Sequence, residues 1–173
     1  MEKTPRIQLL IAEDEQVLRS GLASLPWEKN GITLLPPAKN GLEAVECAKA
    51  QRVDILLTDI RMPGLSGLDA AKQIRELYPN MEVLFLSGYG EFEYAQKAIR
   101  LQACNYILKP STPDAILSAV REAGARVQMQ RSERSAVQQL RQQVETLSKV
   151  VVTSRTVEEQ RAQEIPREED IVK

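Results

Sequence analysis

Four short stretches of this 173-residue chain hold the side chains best placed to do chemistry: Glu13-Asp14, Asp59, Ser87 and Lys109. The chain has no histidine. That absence removes Ser-His-Asp hydrolysis, Cys-His proteolysis, histidine-based zinc sites and phosphohistidine carriers. Carboxylates, a hydroxyl and a lysine remain. Three carboxylates gathered at one place repel each other unless a cation joins them. Oxygen ligands without thiolate or imidazole select a hard divalent ion, Mg²⁺ first, which binds through one or two carboxylates and keeps water or phosphate oxygens as its other ligands. Lysine and hydroxyl on the opposite side suit an anion. Metal, carboxylate nucleophile, lysine and hydroxyl together make a site for phosphoryl transfer onto an aspartate, a reaction that needs little beyond positioning and charge neutralisation.

Each of these residues follows a short apolar run. Ile55-Leu56-Leu57-Thr58 has no polar alternation, so it is predicted to be a strand buried on both faces at the centre of a parallel sheet, ending on Asp59 and stopped by Met62-Pro63-Gly64. Ile7 to Ala12 is a second buried strand ending on Glu13-Asp14-Glu15. Ile32 to Leu35 is a third, placed at a sheet edge because Pro36 and Pro37 cannot donate to a ladder. Val83 to Leu86 ends on Ser87-Gly88, and Tyr106-Ile107-Leu108 ends on Lys109-Pro110.

Helical periodicity fills the intervals. Val17, Leu18, Gly21, Leu22 and Leu25 mark one helix; Leu42, Ala44, Val45 and Ala48 a second; Leu68 to Leu77 a third; Glu91 to Leu101 a fourth. Strand and helix alternate five times, which predicts a doubly wound five-stranded parallel α/β sheet. In such a sheet the carboxyl ends of the strands share one rim, where ligands bind.

Composition narrows the function. With 43% hydrophobic and 4% aromatic residues the core must be aliphatic, and 23 basic against 24 acidic residues give a net charge of -1. That balance argues against electrostatically driven nucleic-acid binding. No signal peptide or membrane-spanning stretch is evident, and Cys47 and Cys104 form no CxxC pattern, so a cytoplasmic protein with buried reduced thiols is expected.

The combination of Glu13-Asp14, Thr58-Asp59-Ile60-Arg61-Met62-Pro63-Gly64, Ser87-Gly88-Tyr89 and Tyr106-Ile107-Leu108-Lys109-Pro110 resembles the receiver domain of two-component response regulators over about Ile7 to Pro110. Leu86 to Ala95 most closely resembles receivers attached to AraC-type DNA-binding domains. The resemblance implies a flavodoxin-like sheet of order 2-1-3-4-5 with a C-terminal helical extension. It implies that Asp59 accepts a phosphoryl group from a phosphohistidine on a sensor histidine kinase. Asp14, Asp59 and the backbone carbonyl of Arg61 would hold Mg²⁺, and Glu13 would reach it through water. Lys109 would pair with the acyl phosphate, with the Lys109-Pro110 bond cis. Ser87 would bind a phosphoryl oxygen, and Tyr106 would turn inward in response. Two positions depart from the family pattern: Glu13 stands where aspartate is common, and Gln102 where glycine often ends the fourth helix.

Simpler roles stand beside these. Ser87 would serve as a turn cap, Tyr106 as strand packing, and Met62 and Met81 as gap fillers. Two enzyme readings fare worse. A nucleotide binder needs a glycine- or hydroxyl-rich phosphate loop after the first strand, where Glu13-Asp14-Glu15 would repel phosphate without metal. An aspartate-nucleophile phosphatase usually carries a second acid two residues on, where this chain has Arg61. The expectation is therefore no enzyme with a separate substrate. The alternative is a receiver-like dimerisation or interaction module that works without phosphorylation.

Ser111-Thr112-Pro113-Asp114 starts a fifth helix, with Ile116, Val120, Ala123 and Val127 on its sheet-facing side. After a polar stretch, Val137, Leu140, Val144, Leu147 and Val151 recur at steps of 3, 4, 3 and 4, out of phase with the earlier series, so a break or stagger is expected between the two. The expected organisation is a receiver over residues 1–127, a helical linker or short coiled coil over 128–157 that pairs two chains, and a flexible tail over 158–173 leading to an absent DNA-binding domain.

Overall fold

The computed structural model describes residues 5–88, 92–100, 102 and 105–163. Its elements are β1 (Ile7–Ala12), α1 (Gln16–Ala23), β2 (Ile32–Leu34), α2 (Gly41–Ala50), β3 (Ile55–Asp59), α3 (Gly67–Leu77), β4 (Glu82–Ser87), α4 (Phe92–Arg100), β5 (Asn105–Leu108) and α5 (Pro113–Gln163), with a short 3-10 turn at Glu28–Asn30. The five strands form one parallel sheet of order β2-β1-β3-β4-β5, as expected. The chain divides into two compact units, 1–129 and 130–173.

The first unit is built on the alternation of strand side chains. Leu10, Leu56 and Phe85 face one layer with Ala44, Ala48, Ala70 and Ile74 of α2 and α3. Leu9, Ile11, Ile55, Leu57 and Leu84 face the other with Leu22 of α1 and Ile116, Val120 and Ala123 of α5. Because both faces are covered, the central strands carry unbroken apolar runs. Trp27 is buried beneath α1, where its indole N–H donates to the Leu22 carbonyl at 2.9 Å. Met62 and Met81 fill the first layer.

Register brings the strand ends together. Ala12 lies beside Thr58, Asp59 beside Leu86, and Ser87 beside Leu108. The helices start where side chains satisfy their first N–H groups: Asn40 accepts from Glu43 N–H at 2.8 Å, Ser66 from Asp69 N–H at 3.1 Å, and Thr112 from Ala115 N–H at 3.2 Å. β5 is one edge strand and β2, as its prolines predict, is the other. The two prolines interrupt its pairing without ending it, since the chain returns to β1 through Ala38, whose N–H donates to the Ile11 carbonyl at 2.8 Å.

Four expectations change. Val17 and Leu18 of α1 and Leu42 of α2 keep the helical spacing that marks these helices, yet they are 83%, 39% and 62% exposed. In α1 only Leu22 is buried. Cys47 is half-buried at the edge of the first layer. Of the expected break or stagger between the two apolar series, the break is not found: α5 runs from Pro113 to Gln163, and residues 158–163, expected as flexible tail, are helical. Cys104 and the expected ends of the fourth helix, Glu91 and Leu101, lie outside the described residues, as do 164–173. Among the described residues no helix is long and apolar enough to cross a membrane.

Gln102 keeps the left-handed backbone that glycine usually supplies, with φ 53°. A Cβ in that conformation costs about 1–2 kcal/mol. Gln102→Gly is expected to raise the urea midpoint by an amount equivalent to about 1 kcal/mol; an unchanged or lower midpoint would mean that the turn is not strained.

Candidate functional site

Lys109 is the hinge of the site. It leaves β5 at the rim and reaches back across the sheet, so that its ammonium Nζ lies 2.9 Å from Glu13 Oε2 and 3.2 Å from Asp59 Oδ2. Glu13 is fully buried, whereas the side chains of Asp59 and Lys109 are 13% and 25% exposed. Asp14, next in the chain and nearer the solvent, brings a third carboxylate: oxygens of Glu13, Asp14 and Asp59 all lie within 4.8 Å of one another. The Lys109-Pro110 bond is cis, as the resemblance implied.

The backbone orients these groups. Asp59 Oδ1 accepts the Ile60 N–H at 2.7 Å, and Glu13 Oε1 accepts the Glu15 N–H at 3.3 Å. Arg19 of α1 donates to the carbonyls of Glu13 at 3.0 Å and Asp14 at 3.2 Å. It thereby ties the acidic turn to the helix that follows. Gly67 opens α3 directly against the Asp59 peptide: a Cβ there would collide with the Asp59 carbonyl and approach Thr58 Oγ1 to 2.9 Å. Neither Arg19 nor Gly67 was singled out from sequence. Arg19 lies one helical turn after Glu15, the end of the acidic run, which was the available signal; nothing local marks Gly67.

Burial raises the pKa of Asp59 above the ordinary carboxylate value, with the nearby Asp14 charge adding to it and Lys109 and the Ile60 N–H opposing. Glu13 is raised as well, first by burial and then by the Asp59 charge, against the pull of Lys109. For Lys109 burial works downward, but its bonds to Glu13 and Asp59 raise the ammonium above its usual value. One cation thus holds carboxylates that burial would otherwise protonate.

Ser87, at the end of β4, is completely buried, and its hydroxyl lies 3.2 Å from the Gly88 carbonyl. Its own carbonyl accepts the Lys109 N–H at 2.6 Å, which links the hydroxyl-bearing and lysine-bearing strand ends. Tyr106, beside Phe85 in the ladder, is half-buried against the first core layer. Arg61 has an exposed side chain two residues after Asp59. Glu13, Asp14, Asp59 and Lys109 are therefore brought into one cluster, Ser87 stands on the same rim, and Tyr106 sits behind it within the sheet. A cleft of about 370 Å³, bounded by Leu18, Leu22, Leu86, Ile116 and Pro110, opens beside Glu13 and Lys109.

The donor set suits a hard divalent cation. It is all oxygen, its three carboxylates outnumber the single ammonium, and the outermost one, Asp14, leaves room for water ligands.

Fold and site together define a signalling receiver. The family model described as the response regulator receiver domain matches residues 9–121, and the chain belongs to that family. It is 36% identical over 124 residues to the transcriptional regulatory protein YesN of Bacillus subtilis, covering 71% of this chain and 34% of YesN. The chain spans a third to about half of the length of these curated relatives it matches. Among solved structures, the receiver domain of AraT, a response regulator from Geobacillus stearothermophilus, is 36% identical with TM-score 0.69, covering 73% of this chain and 99% of that one. A two-component transcriptional regulator AraC from Clostridium phytofermentans is 34% identical with TM-score 0.66, covering 71% and 96%.

Two predictions follow from the geometry. Gly67→Ala must push α3 away from Asp59 and is expected to cost about 1–3 kcal/mol in urea unfolding; a loss below a few tenths would show that the contact is slack. Asp59→Asn tests the charge balance in chelator-treated protein. A carboxylate whose pKa is raised on folding favours the folded state below its unfolded pKa and loses that contribution as pH rises through the folded value. The variant is therefore expected to melt higher than wild type near about pH 7, with the gap closing toward about pH 4. A variant that melts lower than wild type at neutral pH would contradict it.

Proposed function

We propose that Asp59 is the phosphoryl acceptor of this receiver domain. In the reaction a carboxylate oxygen of Asp59 bonds to phosphorus, the phosphorus–nitrogen bond of a sensor kinase phosphohistidine breaks, and the histidine leaves with the nitrogen electron pair. The observation that carries this is the single ammonium of Lys109 within 3.2 Å of Asp59 Oδ2 and 2.9 Å of Glu13 Oε2 at the strand-end rim. A group already bridging two carboxylates can pass to phosphoryl oxygens as negative charge builds there.

Asp14, Asp59 and the Arg61 carbonyl would hold Mg²⁺, with Glu13 acting through water. When bound, the metal would neutralise charge between the nucleophile and the incoming group. Glu13, with one oxygen on Lys109 and the other on the Glu15 N–H, orients the lysine. Ser87 would turn its hydroxyl to a phosphoryl oxygen, and Tyr106 would follow into the space beside it. The output surface made by α4, β5 and the start of α5 would change accordingly.

The domain would act in the cytoplasm, pair as a homodimer through the 130–163 helix, bind no nucleic acid itself, and regulate transcription through a DNA-binding module of the AraC type. The net charge of -1 supports the third point.

Wild type and Asp59→Asn should be incubated with a small acyl-phosphate donor, with and without Mg²⁺, and weighed intact. One phosphoryl adduct is expected, on wild type alone and only with Mg²⁺. A folded wild type that never gains the adduct would instead favour an interaction module independent of phosphate.

A further inference from the structure

The second unit, taken alone, is a helix with its apolar side chains in water. Within 130–163 the exposed large hydrophobic residues are Val137, Leu140, Val144, Leu147, Val150, Val151, Val152 and Val157, each at least 48% exposed. With Val137 at heptad position a, the a positions are Val137, Val144 and Val151, and the d positions Leu140 and Leu147. Val150 and Val157 fall at g, which leaves only Val152 off the stripe. The opposite side carries Gln138, Gln142, Glu145 and Lys149, the last two paired at 3.1 Å across one turn.

We propose that this stripe is covered by a second copy of the chain in a parallel, in-register, two-stranded coiled coil. The proposal rests on the homodimer reading above and specifies its geometry. Two features select it. Valine at a with leucine at d is the residue choice that favours two parallel strands over three or four. Charge at the flanks then favours parallel over antiparallel pairing. The g positions, Ala136, Gln143, Val150 and Val157, are uncharged, so in parallel they meet Arg141, Ser148 and Arg155 of the e positions without like-charge contacts. In the antiparallel arrangement that overlaps all five seam residues, e faces e, and Arg134 is set against Arg155 at both ends. A second copy offers the same unpaired stripe at the same length, which a partner of different sequence would have to reproduce.

Both native cysteines, Cys47 and Cys104, should be replaced by alanine in the full chain, and one cysteine placed at Leu140→Cys or Val151→Cys. The two sites are about 16 Å apart along one helix at 1.5 Å per residue, well beyond the Cα reach of a disulfide, about 7 Å. Each variant alone is expected to form a self-disulfide under mild oxidation, and an equimolar mixture to yield the two self-disulfides without the mixed one, because an exchanged parallel pair holds its two cysteines too far apart to join. A disulfide only between Leu140→Cys and Val151→Cys chains would establish antiparallel pairing and overturn the proposal. Light scattering on the reduced, otherwise wild-type chain separates the remaining case: a monomer at high concentration would overturn the dimer itself, with the phosphoryl chemistry of Asp59 unaffected. Leu140→Ala combined with Leu147→Ala is expected to weaken association by at least about a hundredfold while leaving Asp59 phosphorylation intact.

Discussion

The structure depends on one ammonium group. Lys109 sits among Glu13, Asp59 and the neighbouring Asp14, in a place where burial works against all charged forms. At an effective dielectric of about 20, a pair at 3 Å attracts by on the order of 5 kcal/mol, while removing each ion from water costs several. The raised pKa values of both Glu13 and Asp59 show which effect prevails for the carboxylates. The cluster is held in place against its own tendency to neutralise, and it gains from any further cation.

What imposes this arrangement is the sheet. β1 and β3 are deeply buried neighbours, and their parallel register sets Ala12 beside Thr58, so Glu13 and Asp59 emerge next to each other. β4 and β5 extend the rim, and the bond from Lys109 N–H to the Ser87 carbonyl fixes the lysine's starting point. Aliphatic packing on both faces makes a slip of register costly, because every side chain would change layers. Stability of the core and position of the charged site are thus the same constraint.

Much of this was legible in the chain itself. Five apolar runs, four of them ending in a residue with chemistry, specify both the parallel sheet and the side chains that meet at its rim, because a parallel sheet aligns all carboxyl ends. The parts that were not legible depend on neighbours distant in sequence. Val17 and Leu42 keep helical spacing but find no surface to cover, and periodicity alone does not report how wide a helix contact is. Gly67 is required by the path of the Asp59 peptide, which becomes visible only when α3 is docked. Gln102 shows the converse, since a residue poorly suited to a left-handed turn is held there by the elements on either side.

The last helix exposes a different limit. Its first turns bury Ile116, Val120, Ala123 and Val127, so packing against the sheet suffices to order them. From residue 132 to 163 every side chain of the same helix is exposed, and helix propensity with a few ion pairs such as Glu145 with Lys149 contributes only tenths of a kcal/mol each. Such a helix lacks the tertiary burial that supplies most helical stability in proteins, and it leaves eight large apolar side chains exposed. The residue choice at the stripe resolves the conflict. Valine and leucine alternate at the spacing that a second helix can cover, and covering them supplies the burial that the single chain lacks.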